Sequence, residues 1–560
     1  MKIVHIVVEN YKSIKSIDID VNSQVNVFIG ENSVGKSNIF SAIEWVVGSV
    51  YPSFNNFPDE YYFLGDTSLP IKVALTFDDG CTLEMASSWR DYLGREKTGL
   101  NLDHSYVSDD VRQRYVSASI GSDRKLYDNP AMNRWTLMGR LLLDINRRFN
   151  LEDMIDPSSG KIIKKSDYFK SSMKRIQDHT LFSVKDDNGE NLMEKFVEIL
   201  GCETARQLNR QPSDFHMDLN VYDPWNFYRT LQIMVDEAET GMTFRASDLG
   251  MGVQASIMIA ILKAYSQLKL KNQTPIIIDE PELYLHPQGR RNFYKIIRDL
   301  ADSGTQVFLT THSSEFVDLT HFDEIYVVRK DRERGTYVRQ AQPSRFVTDL
   351  HVRYPNMGVI TEASVMEQYM NAFENTGDSQ KSSEAMFARK VILVEGESEV
   401  LVLPYLFELL DYDPVLEGVT IVRCGGKNEI DRFYRLYSEF GIPCYVIFDG
   451  DYNNVGKDLK KEKETIKDNR IILGLFGVNS DFPDNTVTAR YLGFKYRLEE
   501  NLGIGDVGSN VKALKLYQRV KSCISTADDV PNWVGEVIEK IKVLPLEADS
   551  VLKCRTGDCQ

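Results

Sequence analysis

The chain has 560 residues, 42% of them hydrophobic and 26% charged, with a formal net charge of −16. That length exceeds what one hydrophobic core supports and predicts three or four folding units, while the acidity argues against a protein that coats nucleic acid by bulk electrostatics. No apolar run approaches the roughly 20 residues that cross a bilayer. The seven cysteines contain no complete zinc motif, Cys554 and Cys559 lacking a second pair, so a cytoplasmic protein with reduced thiols is expected.

In chain order, "VHIVVENYKSIKSIDIDV" reads as two short strands and "VNVFIG" as a third. The loop "GENSVGKS" then opens the apolar-periodic helix "SNIFSAIEWVVG". This is the G-x-x-x-x-G-K-[ST] pattern in its required strand-loop-helix context. Gly30 and Gly35 free backbone N–H groups to wrap phosphate oxygens, Lys36 reaches the β and γ phosphates, and Ser37 is placed to ligate Mg²⁺. Asn32 and Asn38 complete the expected nucleotide contacts. Strand-like runs occupy 51–125, and a mainly helical stretch follows from about 130 to 240. A second αβ block, about 243–335, contains the buried strands "PIIIDE" and "TQVFLTTH". Asp279 is expected to hold Mg²⁺, Glu280 to activate the hydrolytic water and His312 to sense a γ-phosphate.

The order phosphate loop, Asp-Glu strand, His strand resembles the ATP-binding-cassette ATPases. "SDLGMGVQA" at 247–255 resembles their signature motif, with Gly250 where a serine is usual, followed by Gly252 and Gln254. The resemblance implies ATP as cofactor, contacts from these residues to ATP held by another subunit, and hence a homodimer or higher homo-oligomer. Gln113 and Gln232 both remain candidates for the Q-loop glutamine. The expected organisation is an ATPase N-terminal part at 1–150, an inserted helical dimerisation module at 151–240, an ATPase C-terminal part at 241–371, a polar linker at 372–386 and a further α/β domain at 387–560.

In that last domain "LVEGESE" sets Glu395 at a strand end and Glu399 four residues on, one helical turn away. Asp449-Gly450-Asp451 ends the apolar strand "CYVIF". Strand C-terminal ends converge along one edge of a parallel sheet, so both clusters can share a pocket, and divalent cations would relieve their repulsion.

These residues resemble the Toprim metal-binding fold, with "CGGKNEIDRF" as its intervening strand-turn-helix. An ABC-type ATPase followed by Toprim resembles the overcoming-lysogenisation-defect (OLD) family of nucleases over nearly the whole chain. The resemblance implies an ATP-regulated DNA endonuclease with Mg²⁺ or Mn²⁺ at Glu395, Glu399, Asp449 and Asp451. It also implies a further carboxylate, Glu499 or Glu500 with Glu499 preferred, and a lysine near the C-terminus, for which Lys540, Lys542 and Lys553 are candidates. It suggests bacterial anti-phage defence, with a partner protein or RNA of a defence system. The competing reading is a RecF-like, ATP-switched DNA-binding repair factor with a silent Toprim domain. Basic runs at 456–470 and 161–175 are candidate DNA contacts.

Overall fold

A computed structural model describes the chain apart from residues 22, 49, 56, 113, 116, 121–136, 182, 186, 209–210, 212–222, 229–230, 232, 238–240, 268–274, 356–357, 376–377, 506–510 and 553–560. Gln113, Gln232, Lys553, Cys554 and Cys559 therefore lie outside the described residues. Among those described, no helix is long and apolar enough to cross a membrane.

Among the described residues the N-terminal half is built on a twelve-stranded sheet. Its antiparallel wing contains β1 (Ile3–Tyr11), β2 (Ile14–Asp20), β4 (Lys72–Phe77), β5 (Thr82–Arg90), β6 (Glu96–Leu102) and β7 (Ser105–Tyr106). The parallel part runs β15–β3–β14–β13–β8, formed by β3 (Val25–Ile29), β8 (Ala118–Ile120), β13 (Ile276–Asp279), β14 (Val307–Thr311) and β15 (Ile325–Asp331). β16 (Gly335–Gln340) joins the two parts by pairing with β15 and β2. All five residues of β3 and of β14 are buried, as expected for strands covered on both faces. Two hairpins, β9–β10 (Asp153–Ile155 and Ile162–Lys164) and β11–β12 (Met234–Glu237 and Met242–Arg245), accompany the helices Lys165–Ile176 and Leu192–Leu208 of the inserted segment.

The C-terminal unit is a four-stranded parallel sheet in the order β18–β17–β19–β20, formed by β17 (Lys390–Val394), β18 (Val419–Arg423), β19 (Cys444–Asp449) and β20 (Tyr491–Phe494). Val394 pairs with Arg423 and Ile447, and Asp449 with Phe494. β17 and β18 thus end level, β19 and β20 run two residues further, and the chain leaves β17 and β19 at the same edge. The mixed α/β ATPase head and the Toprim-type α/β domain expected from the sequence are both present.

The expected polar linker at 372–386 is a correction. This segment is the end of helix Glu362–Asn375, helix Ser379–Glu384 and a final 3-10 turn, and Phe373, Ser382, Ser383, Ala385 and Met386 are buried. Ser382 and Ser383 are absorbed rather than solvated: Ser382 Oγ donates to the Asp378 carbonyl, and the Ser382 carbonyl accepts from Tyr437 Oη at 2.8 Å. A train of rings, Phe322, Phe346, Tyr369, Phe373, Phe433 and Tyr437, then runs from the head into the Toprim sheet's helix Ile430–Glu439. One hydrophobic core spans both units.

Candidate active sites

The phosphate loop takes its shape from two close approaches. Gly35, at φ +107, caps helix Lys36–Val47, and a Cβ there would meet Thr336 Oγ1 at 2.3 Å; one on Gly30 would meet the Val328 carbonyl at 2.3 Å. Lys36 is buried and its Nζ donates to the Gly30 and Glu31 carbonyls, both at 3.0 Å. Burial lowers its pKa, against the pull of Glu280, Asp279 and Glu282. Ser37 is exposed in the first helical turn, Asn32 is exposed in the loop, and Asn38 Nδ2 donates to Ser13 Oγ at 2.7 Å.

The expected hydrolytic residues converge beside Lys36. Asp279, at the end of β13, accepts a hydrogen bond from Thr310 Oγ1 on β14. Glu280 sits in the left-handed region at φ +49, and its Oε1 lies 3.6 Å from His312 Nε2. Burial and the Lys36 charge lower the His312 pKa, so its neutral form prevails near neutrality. Glu282, which the sequence reading passed over, is buried and holds this corner together: it accepts from the His312 N–H at 2.5 Å and from Thr311 Oγ1 at 3.0 Å. Glu282→Ala is expected to lower stability by about 1–3 kcal/mol, the usual cost of leaving buried donors unmade, and to slow ATP hydrolysis. Thermal unfolding and phosphate release measure the two effects.

Gly250 and Gly252 are exposed at the start of helix Met251–Gln267, beside the exposed Val253 and Tyr284. Gln254 is buried, and its Nε2 donates to the Ser247 and Leu249 carbonyls at 3.0 and 2.8 Å, which shapes the turn before the helix.

The second site lies at the C-terminal edge of the Toprim sheet. Gly450 is required there by packing: its N–H donates to the Phe494 carbonyl at 2.6 Å, and a Cβ would lie equally close to that oxygen. Helix Leu459–Leu475 steadies the turn through Asn469 Nδ2, which donates to the Gly450 carbonyl at 3.0 Å. Glu399 is buried in the first turn of helix Glu397–Leu409, and its Oε2 accepts from the Gly396 N–H at 3.1 Å.

Glu395, Glu399, Asp449, Asp451 and Glu499 come together here. Burial raises the Asp449 pKa well above the carboxylate range, and the charges of Glu399, Glu395, Asp451 and Glu499 push it the same way. Burial likewise raises Glu399, and it brings Glu395 to about 7. Glu499 is buried, whereas Glu500 is exposed, which favours Glu499 as the fifth acid.

Three cations that the sequence reading did not single out oppose this charge. Lys427, buried in the Gly-Gly turn after β18, donates to Asp451 Oδ2 at 2.8 Å, and Arg497 Nε donates to Asp451 Oδ1 at 2.8 Å. Burial works to raise the Asp451 pKa, yet these two partners outweigh it and hold the group below its ordinary value. Lys512 Nζ lies 2.5 Å from Glu499 Oε1. Lys512 is thus a second lysine at the cluster, beside Lys427. Of the expected candidates, Lys542 pairs with Glu539 and lies over the Tyr412 ring.

Among the described residues, no three side chains already close on one point as a ligand cage. The donor set nevertheless fits hard divalent cations, because Glu395 Oε2, Asp449 Oδ1 and Glu499 Oε2 are buried without a protein partner and all are carboxylate oxygens. In metal-free protein the raised Glu395 pKa has a definite consequence. The folded state binds the proton more tightly than the unfolded one, so stability falls as pH rises from about 4.5 to about 7, by up to about 1.4 kcal/mol per pH unit. Glu395→Gln is expected to flatten that part of the Tm-against-pH curve.

Of the basic runs, 456–470 begins directly beyond the aspartates and enters helix Leu459–Leu475, where Arg470 already pairs with Asp481 at 2.5 Å. The run at 161–175 lies in the inserted segment, where Lys164 and Lys165 pair with Asp153 and Glu152.

Comparison with known proteins agrees with this architecture. The family described as "Overcoming lysogenization defect protein-like, TOPRIM domain" matches residues 386–451, and the "AAA ATPase domain" family matches 1–87 and 113–317, more than half of the chain. An OLD nuclease of Thermus scotoductus is 25% identical over 91% of this chain and 96% of its own length. The Old nuclease of Escherichia phage P2 is 24% identical over 88% and 85%, and Endonuclease GajA of Bacillus cereus is 21% identical over 80% and 75%. The chain therefore belongs to the AAA ATPase domain family, its ATPase head being followed by a segment that matches the OLD-like TOPRIM family and by the same order of domains as the OLD nucleases it is similar to.

Proposed function

We propose that the protein is an ATP-regulated, divalent-metal-dependent DNA endonuclease acting in anti-phage defence. The observation that carries this reading is the cluster of five carboxylates at one sheet edge, with buried, unpartnered oxygens on three of them. Glu395, Glu399, Asp449, Asp451 and Glu499 would hold Mg²⁺ or Mn²⁺. The chemistry such ions supply is activation of a water and charge neutralisation at the leaving 3′ oxygen of a phosphodiester. Lys427 and Arg497 fix the orientation of Asp451, and Lys512 steadies Glu499.

At the head, Gly30, Asn32, Gly35, Lys36, Ser37 and Asn38 would hold ATP, with Ser37 and Asp279 on its Mg²⁺. Glu280 accepts a proton from the attacking water, and His312 is kept in reach of Glu280 by Glu282. Gly250 and Gly252, exposed at a helix start, are available to a second copy of the chain, which supports a homodimer or higher homo-oligomer. The names of the relatives support the nuclease assignment. The family name, which refers to lysogenisation, supports the defence role.

Incubating the purified protein with supercoiled plasmid and Mg²⁺ or Mn²⁺, with and without ATP, tests the proposal. Nicked or linear product is expected. Intact plasmid under every metal and nucleotide condition would favour the RecF-like reading instead.

A further inference from the structure

Beside the acidic cluster, the segments leaving β19 and β20 continue together. The Asp451 N–H donates to the Tyr496 carbonyl and the Tyr452 N–H to the Lys495 carbonyl, both at 3.1 Å. This clamp sets Tyr452 next in chain to one aspartate of the cluster, and it sets Tyr496 next to Arg497, the residue that grips the same aspartate. The two rings meet edge to face with centroids 5.7 Å apart, and Phe482 backs Tyr452 at 4.9 Å. Lys495 Nζ lies over both tyrosines, 4.6 Å from the Tyr452 centroid and 5.8 Å from that of Tyr496. Both tyrosines nevertheless leave 36% of their surface in solvent. The result is a braced aromatic lip with its own cation, one residue from a carboxylate of the cluster.

An aromatic face at such a place offers what a base needs and water does not. Stacking of a base on an aromatic side chain tolerates any sequence, and a cation beside the rings adds attraction for both the π-system and the phosphate backbone. The faces of bases inside a continuous duplex are already covered by their neighbours, so only an unpaired or extruded base can use the lip. The overall charge of −16 makes such local contacts the more necessary for holding DNA. We infer that Tyr452, Tyr496 and Lys495 form a stacking platform for an unpaired base next to the scissile phosphate. On this basis the substrate class is DNA that is single-stranded, gapped or locally melted at the cleavage position. The inference rests on the nuclease reading of the acidic cluster.

The test uses the full-length protein with Ca²⁺ in place of Mg²⁺, and fluorescence anisotropy on four probes: a duplex, the same duplex with a central gap, its single strand, and that strand as RNA. A gapped probe carrying 2-aminopurine in the gap reports stacking directly. The gapped and single-stranded DNA are expected to bind about tenfold or more tighter than the duplex, with quenching of the 2-aminopurine. Tyr496→Leu should remove both effects and Tyr496→Phe, which keeps the ring, should retain them, with Tm confirming that both variants are folded. A merely structural role for the ring would move Tm and leave the probe preference in place. Equal affinity for duplex and gapped DNA, a preference that survives Tyr496→Leu, absence of quenching, or tighter binding of the RNA would each overturn the inference. Because these arms need no cleavage, an inactive wild type would count against the nuclease reading, while the stacking platform would still be decided by the probes.

Discussion

Asp449→Ala is expected to abolish metal-dependent nicking while sparing ATP hydrolysis. Asp449 ends β19, where its Oδ1 is buried without a partner and four other carboxylates press on it. Changes even to groups that only support metal ligands typically cost 10–100-fold, so loss of a ligand itself should lower nicking by at least about a hundredfold. The metal-free fold gains from the same change, because burial and the neighbouring carboxylates force Asp449 to take up a proton and leave its Oδ1 without a partner, a burden that alanine removes. The metal-free Tm should therefore hold or rise, and the further increase in Tm on adding Mn²⁺ should disappear. Three measurements check this: plasmid nicking, phosphate release, and thermal unfolding with and without Mn²⁺. Nicking that survives the substitution would show that the cleavage centre lies elsewhere.

Lys36→Ala should produce the opposite split at the head. Lys36 is the buried cation of the phosphate loop, it sits among Glu280, Asp279 and Glu282, and its Nζ is held by two loop carbonyls that a nucleotide would replace. Removing it leaves Asp279 and Glu280, with Glu282 behind them, without the positive charge of Lys36. ATP hydrolysis should fall by about 10²–10³-fold, the scale for losing one preorganised electrostatic contact in an active site. Fluorescent-nucleotide binding should weaken as well. Nicking measured with and without ATP then reveals the sense of the regulation: a variant whose nicking no longer responds to ATP supports coupling through this site. Undiminished ATP hydrolysis would contradict the assignment of Lys36.

Both predictions concern residues that were legible because their chemistry is contiguous in sequence. The phosphate loop, the Asp-Glu pair after β13, His312 and the two acidic motifs are each short patterns attached to a strand end, and the structure gathers them at two sheet edges. The counter-cations were not legible. Lys427, Arg497 and Lys512 belong to three separate segments, and only convergence at the Toprim edge makes them partners of Asp451 and Glu499. The Gln254 amide also donates to the Ser247 and Leu249 carbonyls of its own turn, a local role that the motif position did not reveal. The segment 372–386 misled for a related reason. Small polar residues fit a helix interface when backbone carbonyls satisfy them, so polarity alone did not mark it as solvated.

The ring train through Phe373 and Phe433 should couple the unfolding of the head to that of the Toprim domain. A chain cut just after the supposed boundary would part Phe373 from Phe433 and open the apolar cluster that the two domains share, all of it now buried. Each fragment would keep an apolar cluster of its own but lose the one they share. Heating the intact protein should accordingly melt both domains in one transition.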